Sequence, residues 1–215
     1  MNNELKKRIL SSIVLVPIVF FLIIKGSYFF LLLLLISIIV SLYEWHFLAK
    51  NKSYYVLGFA FLFFSFYCIY KIRSNEINSY DSFLIILLIC IFTDIGGYVF
   101  GKIFKGPKLT SYSPNKTISG SIGGYLLSLS LIPFFFYFNL YNQNNIALII
   151  IYVILISTVS QIGDISVSFF KRQSKVKDTG KILPGHGGLL DRIDGMLFAF
   201  PFGYLIMSIN LYDKI

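Results

Sequence analysis

The interval from Ser168 to Asp194 holds Ser168-Phe169-Phe170-Lys171-Arg172, Lys177-Asp178, Pro184-Gly185-His186-Gly187-Gly188 and Asp191-Arg192-Ile193-Asp194. Cations that hold phosphates, carboxylates that hold a divalent metal and glycines that let backbone approach a ligand are together the ingredients of phosphoryl chemistry. Apolar runs flank the interval on both sides. The chemistry is therefore expected beside a bilayer, on a lipid phosphate.

Helical spacing extends this group upstream. Ser168 lies at i+4 and Lys171 at i+7 from Asp164, so a helix through them puts all three on one face. Asp191 and Asp194 are at i, i+3 and point the same way if the last helix begins near them. Asp164, Asp191 and Asp194 could then converge on one cation, and an oxygen-only set suits Mg²⁺, which takes one or two carboxylates plus substrate phosphates. Carboxylates at a helix start also simply complement the macrodipole, so spacing alone leaves metal binding open. Asp94, in Asp94-Ile95-Gly96-Gly97, either breaks a helix or faces a polar cavity.

His186 sits between glycines and is read as a nucleotide or phosphate contact together with backbone N–H groups of Gly187 and Gly188. Zinc is not indicated, because His46 is the only other histidine and no Cys is near in sequence. A second polar cluster runs from Gly101-Lys102 through Lys105 and Lys108 to Ser113-Pro114-Asn115-Lys116-Thr117. Lys116 and Thr117, with Ser113, are candidates for anion binding at a helix start. Lys102, Lys105 and Lys108 are read as topology signals. Gly97-x-x-x-Gly101 and Gly120-x-x-x-Gly124 are read as close helix contacts, which also allow a homodimer.

These residues must be carried by membrane helices. The 215-residue chain is 56% hydrophobic and 13% charged, about half the charge of a soluble domain, and its apolar runs are unbroken rather than alternating, which excludes a barrel. The expected fold is all-α, a polytopic transmembrane helical bundle of one domain covering 1–215, with its catalytic half at about 94–200. About seven spans are predicted: Ile9–Ile24, Tyr28–Leu48, Tyr54–Tyr70, Phe83–Phe104, Ile118–Leu140, Ile146–Phe170 and Ile193–Leu211. No small-x-small cleavage site follows Lys25-Gly26, so the first is expected to be a retained anchor. With the N-terminus cytoplasmic, the inside loops hold 15 of the 19 Lys and Arg, as the positive-inside rule requires. The net charge of +9 sits in short juxtamembrane loops, which points to anionic membrane lipids and nucleotide phosphates and to no nucleic acid. Cys68 and Cys90 lie in apolar runs and indicate neither a disulfide nor a metal.

The pattern resembles the phosphatidate cytidylyltransferases, also called CDP-diacylglycerol synthases. Their signature runs Ser-x-apolar-Lys-Arg, four residues, Lys-Asp, then a small residue, and later His-Gly-Gly-apolar-x-Asp-Arg-apolar-Asp. Here it reads Ser168 to Arg172, Lys177-Asp178, Gly180, then His186 to Asp194. The likeness extends through Gly163-Asp164, the Asp94-to-Lys102 segment and Ser113-Pro114-x-Lys116-Thr117, while the first half matches only as generic spans ending in Glu44-Trp45. Two departures stand out. Ile118 and Ser119 follow Lys116-Thr117 where the family has an aromatic and then Glu or Gln, and the chain is shorter than typical members, from which missing or abbreviated N-terminal spans are expected.

The resemblance implies transfer of CMP from CTP to phosphatidic acid, giving CDP-diacylglycerol and pyrophosphate, in a bacterial inner membrane with the active site facing the cytoplasm. It implies Asp164, Asp191 and Asp194 as carriers of Mg²⁺ and of any second cation. Lys171, Arg172, Lys177, Lys116 and Arg192 would hold phosphates, Ser168 and Asp178 would position neighbours, and Asp191 would serve catalysis as well. A CTP-dependent lipid-alcohol kinase is the alternative enzyme, and a transporter or non-catalytic lipid-binding protein the alternative outside enzymes. The CDP-alcohol phosphotransferase pattern is absent, since two residues, not three, separate Asp191 from Asp194.

Overall fold

In the computed structural model, residues 3–74, 79–110, 112–113, 116–137, 146–183, 185 and 187–208 are described, with backbone alone for 3–10, 12 and 79. Among them are eight α-helices and no strand beyond two isolated bridges: α1 (Asn3–Lys25), α2 (Ser27–Ala49), α3 (Tyr55–Ser74), α4 (Ser79–Phe104), α5 (Ile118–Leu129), α6 (Ile132–Tyr137), α7 (Ile146–Gln173) and α8 (Leu190–Ser208). The all-α expectation holds.

Five stretches are long and apolar enough to cross a membrane: Ser27–Ala49, Tyr55–Ser74, Tyr80–Phe104, Ile118–Tyr137 and Ile146–Gln173. This is fewer than the seven expected from the chain. The described apolar part of α1 is the shorter Ile13–Lys25, and α8 opens with Asp191, Arg192 and Asp194. The predicted span from Ile118 is two helices, because the chain turns at Ser130 and Leu131. Pro133 sits in the first turn of α6, where its missing N–H costs nothing. Glycine separates α1 from α2, with Gly26 at φ 64°, a backbone conformation open to Gly at no steric cost.

The chain divides into two compact units, each drawn from two segments: Met1–Phe66 with Phe170–Ile193, and Tyr67–Phe169 with Asp194–Ile215. In the first, α1 packs on α2. Trp45 meets Phe170 edge to face at 5.2 Å and donates to the Tyr55 carbonyl at 3.0 Å, and His46 Nδ1 shares a hydrogen bond with the Tyr55 hydroxyl at 2.7 Å. The segment after α7 is held to the end of α2 by Ser174 Oγ, which donates to the Leu48 carbonyl at 2.5 Å.

In the second unit α4 and α5 are closely packed, and glycine explains how. A Cβ on Gly120 would fall 2.7 Å from the Gly97 carbonyl oxygen, and one on Gly124 would fall 3.0 Å from that of Thr93. Small residues let backbones approach where apolar burial gives helices no net attraction in lipid. Polar pairs join the same helices to α7: Thr93 Oγ1 donates to Ser157 Oγ at 2.9 Å, and Ser121 Oγ to Gln161 Oε1 at 2.5 Å. Phe135, Ile85, Ile89, Ile149 and Val153 are fully buried in this unit.

Candidate active site

The acidic residues fall into two groups, one in each unit. In the second unit, α4 runs unbroken through Asp94, so this residue is not a helix break. Asp94 is exposed at its surface and feels the negative charge of Asp164 and the positive charge of Lys116. Lys116 and Asp164 form an ion pair, with side chains 26% and 27% exposed. Asp194, 7% exposed, is under the like charges of Asp164 and Asp94 and the opposite charge of Lys116, and its Oδ1 accepts from Gly195 N–H at 3.0 Å. Glycines set this spacing: a Cβ on Gly163 would lie 2.8 Å from the Asp194 carbonyl oxygen, and one on Gly195 would strike Ser160. Among the described residues the only ion pair of these three acids is that with Lys116.

Thr117, expected to bind substrate, caps α5, its hydroxyl accepting from Gly120 N–H at 3.1 Å. Ser113 closes the turn before it, its carbonyl accepting from Lys116 N–H at 3.1 Å. Ser119, one of the departures from the family pattern, donates to the Lys105 carbonyl and contacts Thr117 Oγ1 at 3.0 Å. It ties the first turn of α5 to the residue after α4. Ser168 is buried in α7.

The first unit holds the other group. Lys171 Nζ donates to Asp191 Oδ1 at 2.6 Å, with side chains 13% and 9% exposed. Asp191 Oδ2 accepts from Thr179 N–H at 2.8 Å and from Gly188 N–H at 3.4 Å, and lies 3.0 Å from the Thr179 hydroxyl. Gly187 has φ 85° and pairs back to Leu183, which closes the loop before α8. Arg172, Lys177, Asp178 and Arg192 are exposed; Arg172 also reaches the Val176 carbonyl at 3.4 Å. His186, with Pro184, lies outside the described residues. Asp191, expected as a metal ligand, has both oxygens engaged by protein donors.

Two residues of this group were not among the expected site residues. Thr179 contacts both Asp191 and Glu44, and Glu44, 1% exposed near the end of α2, accepts from three donors of the signature loop. Its signal was present, since a carboxylate within a 23-residue apolar helix needs a buried partner.

Among the described residues, no three His, Cys, Asp or Glu side chains form a ready cation cage. The first unit carries the basic side chains Lys171, Arg172, Lys177 and Arg192, and the second carries Asp94, Asp164 and Asp194 with Lys116. A model of the Cytidylyltransferase family matches residues 51–210, and the chain belongs to that family. It is 36% identical over 214 residues to a phosphatidate cytidylyltransferase of Rickettsia bellii, covering 95% of this chain and 91% of that protein. It is 38% identical over 177 residues to one of Staphylococcus haemolyticus, covering 77% and 65%, and over 173 residues to one of Staphylococcus aureus, covering 77% and 64%. The chain thus spans just under two thirds of the staphylococcal relatives.

Proposed function

We propose that this protein transfers CMP from CTP to phosphatidic acid, forming CDP-diacylglycerol and pyrophosphate. One observation carries the reading: the polar signature Ser168–Asp194 lies inside the family match at 51–210, and the Rickettsia bellii relative named for this activity aligns over 95% of the chain. The same relatives are bacterial, and five helices are apolar enough to cross a membrane. With the basic loops these features support a bacterial inner-membrane location, N-terminus and signature facing the cytoplasm.

The nucleophile is a phosphate monoester oxygen, largely ionised near neutral pH, so no strong base is required. It forms a bond to the α-phosphorus of CTP as the bond to the bridging oxygen breaks, and the electron pair departs with pyrophosphate. The barrier is the approach of one anion to another, which cations and positioning lower. In the first unit Lys171, Arg172, Lys177 and Arg192 would supply phosphate charge, while Asp191 holds Lys171 and the loop amides. In the second unit Lys116 would meet an anionic substrate by exchanging it for Asp164.

Asp164 is paired with Lys116, and Asp194 and Asp94 feel the charges of both, so one ammonium leaves negative charge that a divalent cation would offset, and oxygen donors of this kind would suit Mg²⁺. Asp164 and Asp194, with Asp94 beside them, would hold it, and Mg²⁺ when bound supplies charge neutralisation at the phosphates. Asp191 is proposed as a holder of Lys171 rather than a metal ligand.

Purified protein given Mg²⁺, phosphatidic acid and CTP labelled at the α-phosphorus should move the label into lipid. Label entering lipid from the γ-phosphorus would instead mark a lipid-alcohol kinase, and uptake into vesicles without turnover would mark transport. Chelation of divalent cations should stop turnover and Mg²⁺ restore it.

A further inference from the structure

Glu44 is a carboxylate in the apolar helix α2, 135 to 146 residues away in sequence from everything it binds. Oε1 accepts from Leu189 N–H at 2.8 Å, and Oε2 accepts from Leu190 N–H at 2.8 Å and from the Thr179 hydroxyl at 2.9 Å. These donors are the start of α8 and the far side of the signature loop. The same carboxylate explains one signature glycine and shares in explaining a second: a Cβ on Gly180 would lie 2.6 Å from Oε1, while one on Gly188 would strike the Thr179 hydroxyl first and lie 2.7 Å from Oε2 and from the Gly180 nitrogen. The small residue required after Lys177-Asp178 therefore makes room for Glu44.

Thr179 links this group to the reactive side of the loop. Its hydroxyl is within bonding distance of Glu44 Oε2 and of Asp191 Oδ2 at 3.0 Å, yet a hydroxyl carries one proton and donates to one of them at a time. Glu44 thereby acts on the oxygen environment of Asp191, and through Asp191 on Lys171 at 2.6 Å.

We infer that Glu44 is a positioning residue for the nucleotide-facing loop, acting through Thr179 on the Lys171–Asp191 pair. This rests on the proposed CMP transfer. Packing alone would be met by an apolar side chain here. A carboxylate that collects two backbone N–H groups and one hydroxyl instead fixes where Thr179, Leu189 and Leu190 sit.

The test compares wild type with Glu44→Gln, Thr179→Val, Thr179→Ser and the Glu44→Gln/Thr179→Val double variant. Gln keeps the shape but presents an N–H₂ to donors that need an acceptor. Glu44→Gln and Thr179→Val should each raise KM for CTP by about tenfold while KM for phosphatidate stays within about twofold. Thr179→Ser should restore the wild-type value, and the double variant should be no worse than the worse single one, as coupled neighbours behave. Equal rises in both KM values, multiplying effects or unchanged kinetics would each overturn the inference. Should Glu44→Gln not fold, the contrast between Thr179→Val and Thr179→Ser decides by the same readout. A wild type that makes no CDP-diacylglycerol would sink the reading of function instead. Trypsin cleavage after Lys177 and Lys181 would then decide the loop: faster cleavage in Glu44→Gln sustains the positioning role, and equal cleavage removes it.

Discussion

The two units treat their carboxylates in opposite ways. In the first, Glu44 and Asp191 are saturated: hydroxyl, backbone amides and the Lys171 ammonium occupy their oxygens. In the second, Asp94, Asp164 and Asp194 press on one another with Lys116 as their one ion-pair partner among the described residues. A carboxylate fully supplied with donors holds structure, and removing it strands those donors. Carboxylates left in mutual repulsion oppose folding unless another cation is supplied, so their presence points to a ligand. The same residue type is therefore proposed to hold structure in one unit and a ligand in the other.

The sharpest way to break this contrast is Asp194→Asn. It should lower CMP transfer by about a thousandfold, the scale of losing a transition-state charge contact, while thermal stability in detergent stays level or rises because repulsion is relieved. A drop in stability would erase the distinction between the units. Asp191→Asn should behave the other way in melting experiments, losing about 3 kcal/mol as the mostly buried Lys171 is left without its counter-ion. Gly120→Val should cost about 2 kcal/mol by forcing a side chain into the Gly97 carbonyl, seen as a lower midpoint. Thr117→Val is expected to be the mildest, about 1 kcal/mol for the lost cap of α5. If its stability is unchanged and turnover falls instead, Thr117 belongs to substrate binding, as its sequence position suggested.

Much of this was legible in the chain. Unbroken apolar runs announced helices, and α2, α3, α4 and α7 lie close to the stretches expected. Helical spacing from Asp164 to Lys171 is realised within the continuous α7. The turn at Ser130 and Leu131 was not foreseen, because hydropathy continues across it and only Pro133 hints at a new helix. Asp94 was ambiguous for a related reason: Gly96-Gly97 reads as a breaker, yet α4 stays helical because those glycines are where α5 packs. The signature showed its polar residues but not their division of labour, since Asp191 and Asp194 look alike in sequence while only one meets a lysine and loop amides.

Composition and short-range spacing determined the membrane class, the helical fold and the polar signature, because hydropathy and periodicity are properties of neighbouring residues. Tertiary packing alone decided that Glu44 closes on Thr179, Leu189 and Leu190, and that Asp94, Asp164 and Asp194 feel one another's charge. Hydrogen bonds and Coulomb forces act across a few ångströms of space, and no local pattern encodes which distant helices bring their side chains within that range.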